Sequence, residues 1–136
     1  MTSEYKNLLR THKLSNTKQR QQVFDSIVKL SKPLSMNELI NLNRSIDRVS
    51  IYRIIDAFEK AGIISRLQIG WKYKIELSDA FKQHHHHMTC VQCGSVIEFD
   101  EPESLDTELT HISRKHGFTV TQHTLEIRGV CRHCQK

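Results

Sequence analysis

The sequence predicts an α+β protein in two parts, an N-terminal winged helix (three helices plus a β-hairpin wing) and then a small α/β metal-binding domain. Three observations predict it: three amphipathic helical patterns that end in a hairpin pattern, an internal run of four histidines, and two CxxC pairs towards the end of the chain. Charge divides along the same line. Residues 1–74 hold fourteen Lys and Arg against six Asp and Glu, whereas residues 75–136 hold six against nine. A basic first part suits a polyanion and an acidic second part suits cations. Two parts of this size are each marginal alone, so a metal or a partner subunit is expected to supply stability. No apolar run reaches the roughly 18 residues that span a bilayer, and MTSEYKNLLR has no signal-peptide core. The expectation is a cytoplasmic protein with no membrane partner, in which reduced cysteines bind metal rather than each other.

Thr17 stands where an N-cap belongs, and Val23, Ile27 and Leu30 follow at helical spacing before Pro33 breaks the chain. Ser35 with Glu38 three residues on reads as a capping box for a short second helix. Asp47 opens the third, whose stripe Ile51, Ile54, Ile55, Phe58 has the spacing of a core-facing helix, with Gly62 just past its end. Two β-like stretches, Ile63–Gln68 and Lys72–Leu77, flank Gly70-Trp71 and read as a hairpin. Three helices and a hairpin make a winged helix, which lays its third helix in the major groove. The winged-helix domain is placed at 1–78, a hinge at 79–83, and a metal-binding dimerisation domain at 84–136. There Val96–Phe99 reads as a strand, Pro102 starts a helix with apolar face Leu105, Leu109, Ile112, and Phe118–Ile127 reads as another strand. So few apolar residues imply a core completed by dimerising.

On the third helix Arg48, Ser50, Tyr52 and Arg53 face outward; Arg forks onto guanine or phosphate, and the hydroxyls suit phosphate oxygens or base edges. Lys18, Arg20 and Arg66 lie where phosphate contacts set affinity and salt dependence.

Cys90-Val-Gln-Cys93 and Cys131-Arg-His-Cys134 each form a turn with two thiolates aimed at one ion. Together they make a closed tetrahedral site of the kind that holds structural Zn²⁺. His133, inside the second turn, is a competing ligand. An extended His84-His85-His86-His87 points alternate side chains to opposite sides, so four adjacent imidazoles can serve two ions. Glu76, Glu98, Asp106 and His123 are the candidate partners. Mixed N/O sites suit Fe²⁺, Zn²⁺ or Mn²⁺ and hold them less tightly than thiolates hold zinc, as an exchangeable sensor requires. No HExxH pattern is present, and nothing places a general base beside an open metal position, so neither an enzyme nor a small-molecule substrate is expected.

Thr17-Lys18-Gln19-Arg20, Ser50-Ile51-Tyr52-Arg53 with Ala61-Gly62-Ile63, the segment HHHHMTCVQCGSVIEF from His84 to Phe99, and Lys115-His116-Gly117 through His123 to Cys131 follow in order. In these the chain resembles the ferric uptake regulator family of bacterial metalloregulators over nearly its whole length. The resemblance implies a homodimer joined through C-terminal domains, operator DNA as partner, and repression of metal-uptake genes when metal is plentiful. It assigns Cys90, Cys93, Cys131 and Cys134 to structural zinc; His84, His86, Asp106 and His123 to a second site; and Glu76, His85, His87 and Glu98 to the sensing site. Departures accompany it. Pro33 stands where many members place a further sensing histidine, and Ser15 where a basic residue often enters the minor groove, so Lys13 or Lys18 stands in. Glu76 occupies the place of the cysteine of many zinc-responsive members, which favours a harder ion such as Fe²⁺. Glu98 replaces the aspartate of peroxide sensors. The competing reading is a winged-helix and zinc-knuckle nucleic-acid-binding module whose metal is purely structural.

Overall fold

The computed structural model describes residues 1–136, which form two compact units, Met1–Gln83 and His84–Lys136. The first holds α1 (Thr2–Thr11), α2 (Lys18–Leu30), β1 (Leu34–Ser35), α3 (Met36–Leu42), α4 (Arg48–Lys60), β2 (Ile64–Ile69) and β3 (Lys72–Leu77). The second holds β4 (His85–Cys90), β5 (Val96–Asp100), α5 (Glu103–Lys115), β6 (Glu126–Gly129) and a 3₁₀ turn at Arg132–Cys134.

The caps form as the sequence predicts. Thr17 accepts from the Arg20 amide, Ser35 and Glu38 complete a reciprocal capping box, and Asp47 accepts from the Ser50 amide. Each satisfies an amide that the first turn leaves without a helical partner. At the far end of α4, Gly62 adopts φ +70°, and Ile63 donates back to the Phe58 carbonyl, 2.8 Å. A left-handed residue here closes the helix and turns the chain into β2.

One helix escapes the sequence reading. Tyr5 and Leu9 bury one face of α1, with Tyr5 stacked on Phe24 at 4.0 Å and edge-on to Phe58 at 5.9 Å. The phenol keeps its proton to about pH 12 because burial disfavours its anion, and its hydroxyl donates to Asn16 Oδ1 at 3.2 Å. Tyr5, Leu8 and Leu9 carry the helical spacing that signals this element, but the stretch is too short to be marginally stable without tertiary packing. Tyr5→Ala should cost about 3–5 kcal/mol of stability, as for large-to-small aromatic core changes. A urea titration showing less than about 1 kcal/mol would mean that α1 is not part of this core.

The stripe of α4 is buried as expected: Ile51, Ile54, Ile55 and Phe58 pack with Val23, Phe24, Ile27, Leu39, Ile63 and Ile75. The three-stranded sheet runs β1-β3-β2, all antiparallel, with Ile64 opposite Leu77 and Ile69 opposite Lys72. Helices capped by this hairpin form the winged helix. Phe81 also packs on this core, its ring 5.5 Å from that of Phe24, so residues assigned to the hinge belong to the first unit.

The second unit is a sheet of order β5-β4-β6, β5 antiparallel and β6 parallel to β4. The expected strand at 118–127 is mostly absent: only Glu126–Gly129 joins the sheet. Within this chain β5 takes one edge of β4, and of the residues after α5 only Glu126–Gly129 take the other. No residue of α5 is buried, and Phe118, Ile97 and Ile112 are largely exposed.

Candidate metal centres and DNA-facing helix

β4 places the histidine run by its alternation. His84 and His86 point to one side, His85 and His87 to the other, and the His85 and His87 rings lie 4.8 Å apart. In the β4–β5 ladder His87 faces Glu98, while His86 faces Phe99. Glu101, two residues beyond Phe99, therefore shares the side of His84 and His86.

Around Glu101 three imidazoles converge. His86 Nε2 lies 2.8 Å from Glu101 Oε2, His84 Nε2 lies 3.3 Å from it, and His123 Nε2 is hydrogen bonded to the same oxygen. His84 and His123 are themselves 3.3 Å apart. Burial by itself raises the Glu101 pKa, but hydrogen bonds and charge from His86 and His123 outweigh it and hold the carboxyl below the usual range. An ionised oxygen ringed by three imidazole nitrogens, all four donor atoms within 4.8 Å of one another, is a ligand set for a divalent ion.

Asp106, assigned with these histidines in the sequence, lies outside this set of four. It sits in the first turn of α5, beside the hollow that His123 also borders. Glu101 takes its place because β5 delivers it to the face of His84 and His86, and its longer side chain reaches their ring nitrogens. Strand parity, with Ile97, Phe99 and Glu101 on one face, was the signal that identifies it. Of the remaining candidates, His85, His87 and Glu98 share the second unit, while Glu76 lies in β3 of the first, buried and 4.0 Å from Lys82 Nζ.

The four cysteines come together. Cys93 and Cys131 Sγ are 3.7 Å apart, close to the about 3.8 Å edge of a tetrahedron with Zn–S bonds of about 2.3 Å. All four Sγ atoms lie within 4.8 Å of one another, and none is in a disulfide. The Cys131 and Cys93 amides donate to Cys90 Sγ at 3.4 and 3.5 Å, which lowers its pKa to about 6. Cys134, hydrogen bonded to Cys131 and crowded by the other sulfurs, is pushed up to about 12. Four thiolates cannot share so small a volume without a cation to offset them, and a zinc ion replaces their protons. The residues present therefore fit a structural zinc. His133 lies in the 3₁₀ turn and stays outside the cluster.

On the first unit, Arg48, Tyr52 and Arg53 are exposed on α4. Val49, passed over in the sequence, is 58% exposed beside them, and an apolar side chain there suits a thymine methyl. Ser50 is otherwise engaged: its hydroxyl donates to Asp47 Oδ1 at 2.7 Å and so serves the cap. Arg20 donates to the Ser15 carbonyl at 2.6 Å and braces the turn before α2. Arg66, expected on phosphate, instead pairs with Asp56 and Glu59 of α4 and stacks on Tyr73. Those carboxylates lie a turn apart on the helix and trap the guanidinium between them. Lys13, at φ 55°, and Lys18 are exposed. No helix is long and apolar enough to cross a membrane.

The model of the ferric uptake regulator family matches residues 11–128. The ferric uptake regulation protein of Escherichia coli (strain K12) is 38% identical over 95 residues, 68% of this chain, and the chain spans less than two thirds (62%) of that relative's length. The solved Helicobacter pylori ferric uptake regulator, a protein with three functional metal-binding sites, superposes with a TM-score of 0.83 at 26% identity, covering 99% of this chain and 93% of that one. A zinc-bound manganese uptake regulator superposes with a TM-score of 0.65 at 26% identity, covering 93% and 97%.

Proposed function

Since the chain belongs to the ferric uptake regulator family of metal-responsive, DNA-binding transcriptional regulators, which are not enzymes, we propose that it is a metal-dependent repressor of metal-uptake genes. A homodimer binds operator DNA through α4 when an exchangeable divalent ion is bound. The observation that carries this reading is the convergence of His84, His86 and His123 on Glu101 in a chain that also exposes Arg48, Tyr52 and Arg53 on one helix. Nitrogen and oxygen donors bind first-row ions reversibly, and that reversibility separates a sensor from a structural zinc.

In this proposal Cys90, Cys93, Cys131 and Cys134 hold zinc permanently. His84, His86, Glu101 and His123 hold a second ion. His85, His87 and Glu98, with Glu76 added by the family resemblance, sense the regulatory one. Lacking a thiolate, the sensing set favours Fe²⁺, with Zn²⁺ and Mn²⁺ as alternatives. Dimerisation is supported by Met88, Ile97, Ile127 and Val130, which line an apolar hollow on the small sheet. Arg48 and Arg53 contact bases or phosphates, and Lys13 and Lys18 contact phosphates. Ser50 and Arg20 position these elements.

The test is operator affinity against separately buffered free Fe²⁺, Mn²⁺ and Zn²⁺, with the thiolate zinc retained. Metal is expected to tighten binding about 5- to 150-fold, and operator DNA to tighten metal binding by the same factor. Equal affinity with chelator and with each ion would leave the purely structural-metal reading standing instead.

A further inference from the structure

Trp71 is the only tryptophan in the chain and is 102% exposed, well beyond the next large apolar side chain, Phe118 at 69%. Tryptophan is strongly buried on average, and its amphipathic ring is enriched where a macromolecule binds. Here it stands at a stiff tip. Ile69 pairs with Lys72, leaving only Gly70 and Trp71 in the turn, and positive φ is confined to Gly70, at +59°. That is the type II′ pattern, in which glycine takes the first central position and the strands keep their natural twist. The Gln68 side-chain amide donates to the Gly70 carbonyl at 2.8 Å and braces it further.

The base of the hairpin is clamped to α4. Arg66 of β2 pairs with Asp56 and Glu59, its Nε 3.0 Å from Glu59, and its guanidinium stacks 4.7 Å from the Tyr73 ring. The tip therefore holds a set position relative to the helix that carries Arg48 and Arg53. Charge names the occupant. With Arg66 held by Asp56 and Glu59, residues 67–75 still carry Lys72 and Lys74 and no acidic residue, and Lys72, next to the indole, is exposed.

We propose that Trp71 is a wing-tip DNA contact, its ring against deoxyribose at the minor-groove edge flanking α4 and its Nε1–H donated to a phosphate oxygen. The indole nitrogen is a donor only, which matches the acceptor-only phosphate. Lys72 adds a phosphate contact beside it. Neither group reads a base, so together they raise affinity across sequences and set the register of α4. The inference rests on the DNA-binding reading above and extends it to the wing.

The test uses the full-length, metal-loaded protein and a short duplex that this protein enriches from a random-sequence pool. Trp71 emission should change on adding duplex, and Trp71→Ala should weaken binding about tenfold. Trp71→Phe should recover part of that loss, by keeping the ring and losing the donor. Lys72→Ala should reduce the slope of log affinity against log salt by about one, a change Trp71→Ala should not make. Arg53→Ala separates the two readings. If Arg53→Ala abolishes binding while Trp71→Ala leaves affinity and emission unmoved, the wing contact is wrong and the DNA-binding reading stands. If no duplex is enriched, both fall. Emission that responds to vesicles of anionic phospholipid but not to duplex overturns the proposal in favour of a membrane surface.

Discussion

Withdrawing zinc with a high-affinity chelator is expected to unfold residues 84–136 while residues 1–83 remain folded. The reason lies in how little else holds the second unit. Its buried side chains are His86, His87, Thr89 and Cys90; α5 buries nothing, and Ile97, Ile112 and Phe118 are exposed. Cys131 and Cys134, just beyond β6, are drawn to Cys90 and Cys93 at the end of β4 and the turn after it, so the cluster staples the end of the chain to the start of the unit. Structural zinc contributes apparent free energies of about 10–16 kcal/mol in small zinc-dependent folds, as much as a whole domain's typical stability of about 5–15 kcal/mol. Removing it should leave the second unit unfolded rather than weakened. Cys93→Ser should act in the same direction. Hydrogen exchange reads the two units separately: fast exchange confined to residues 84–136 is the expected result. Unchanged protection there after complete zinc loss would show that the thiolates are not a structural site. Zinc uptake should also release protons, chiefly from Cys134, whose pKa stands at about 12. Acid therefore weakens binding throughout the range below that value, and more steeply once pH falls through about 6, where Cys90 takes up a proton as well.

Replacing His85 and His87 together by alanine should abolish the metal response and leave the metal-free affinity for DNA as it was. The expected loss is the whole coupling, about 1–3 kcal/mol, with fold and zinc content unchanged. The two rings point away from the His84, His86, Glu101, His123 cluster, so the double change leaves that cluster's ligands in place. Metal-stimulated operator binding measured against wild type decides it. A double variant that still tightens on DNA with Fe²⁺ or Mn²⁺ would assign sensing to the Glu101 cluster instead.

Much of this protein is legible in its linear order, because the relevant physics is local. Caps act over three residues, so Thr17, Ser35–Glu38 and Asp47 mark helix starts without reference to the rest of the chain. A two-residue gap with glycine marks the hairpin, and CxxC turns aim two thiolates at one ion wherever they occur. The alternation of a strand separates His84 and His86 from His85 and His87 with no tertiary information.

Tertiary structure decided what depends on distant partners. Helix α1 forms because Phe24 and Phe58 receive Tyr5, and residues 118–125 stay outside the sheet because only Glu126–Gly129 reach β4. Glu101 rather than Asp106 meets the imidazoles because the β4–β5 register sets which carboxylate shares their face. Arg66 and Ser50 look like DNA ligands in one dimension and prove to be engaged by Asp56, Glu59 and Asp47 in three. Residue type and spacing determined the elements and the donor chemistry. Which donors converge was decided by register and packing, since both depend on residues far apart in the chain.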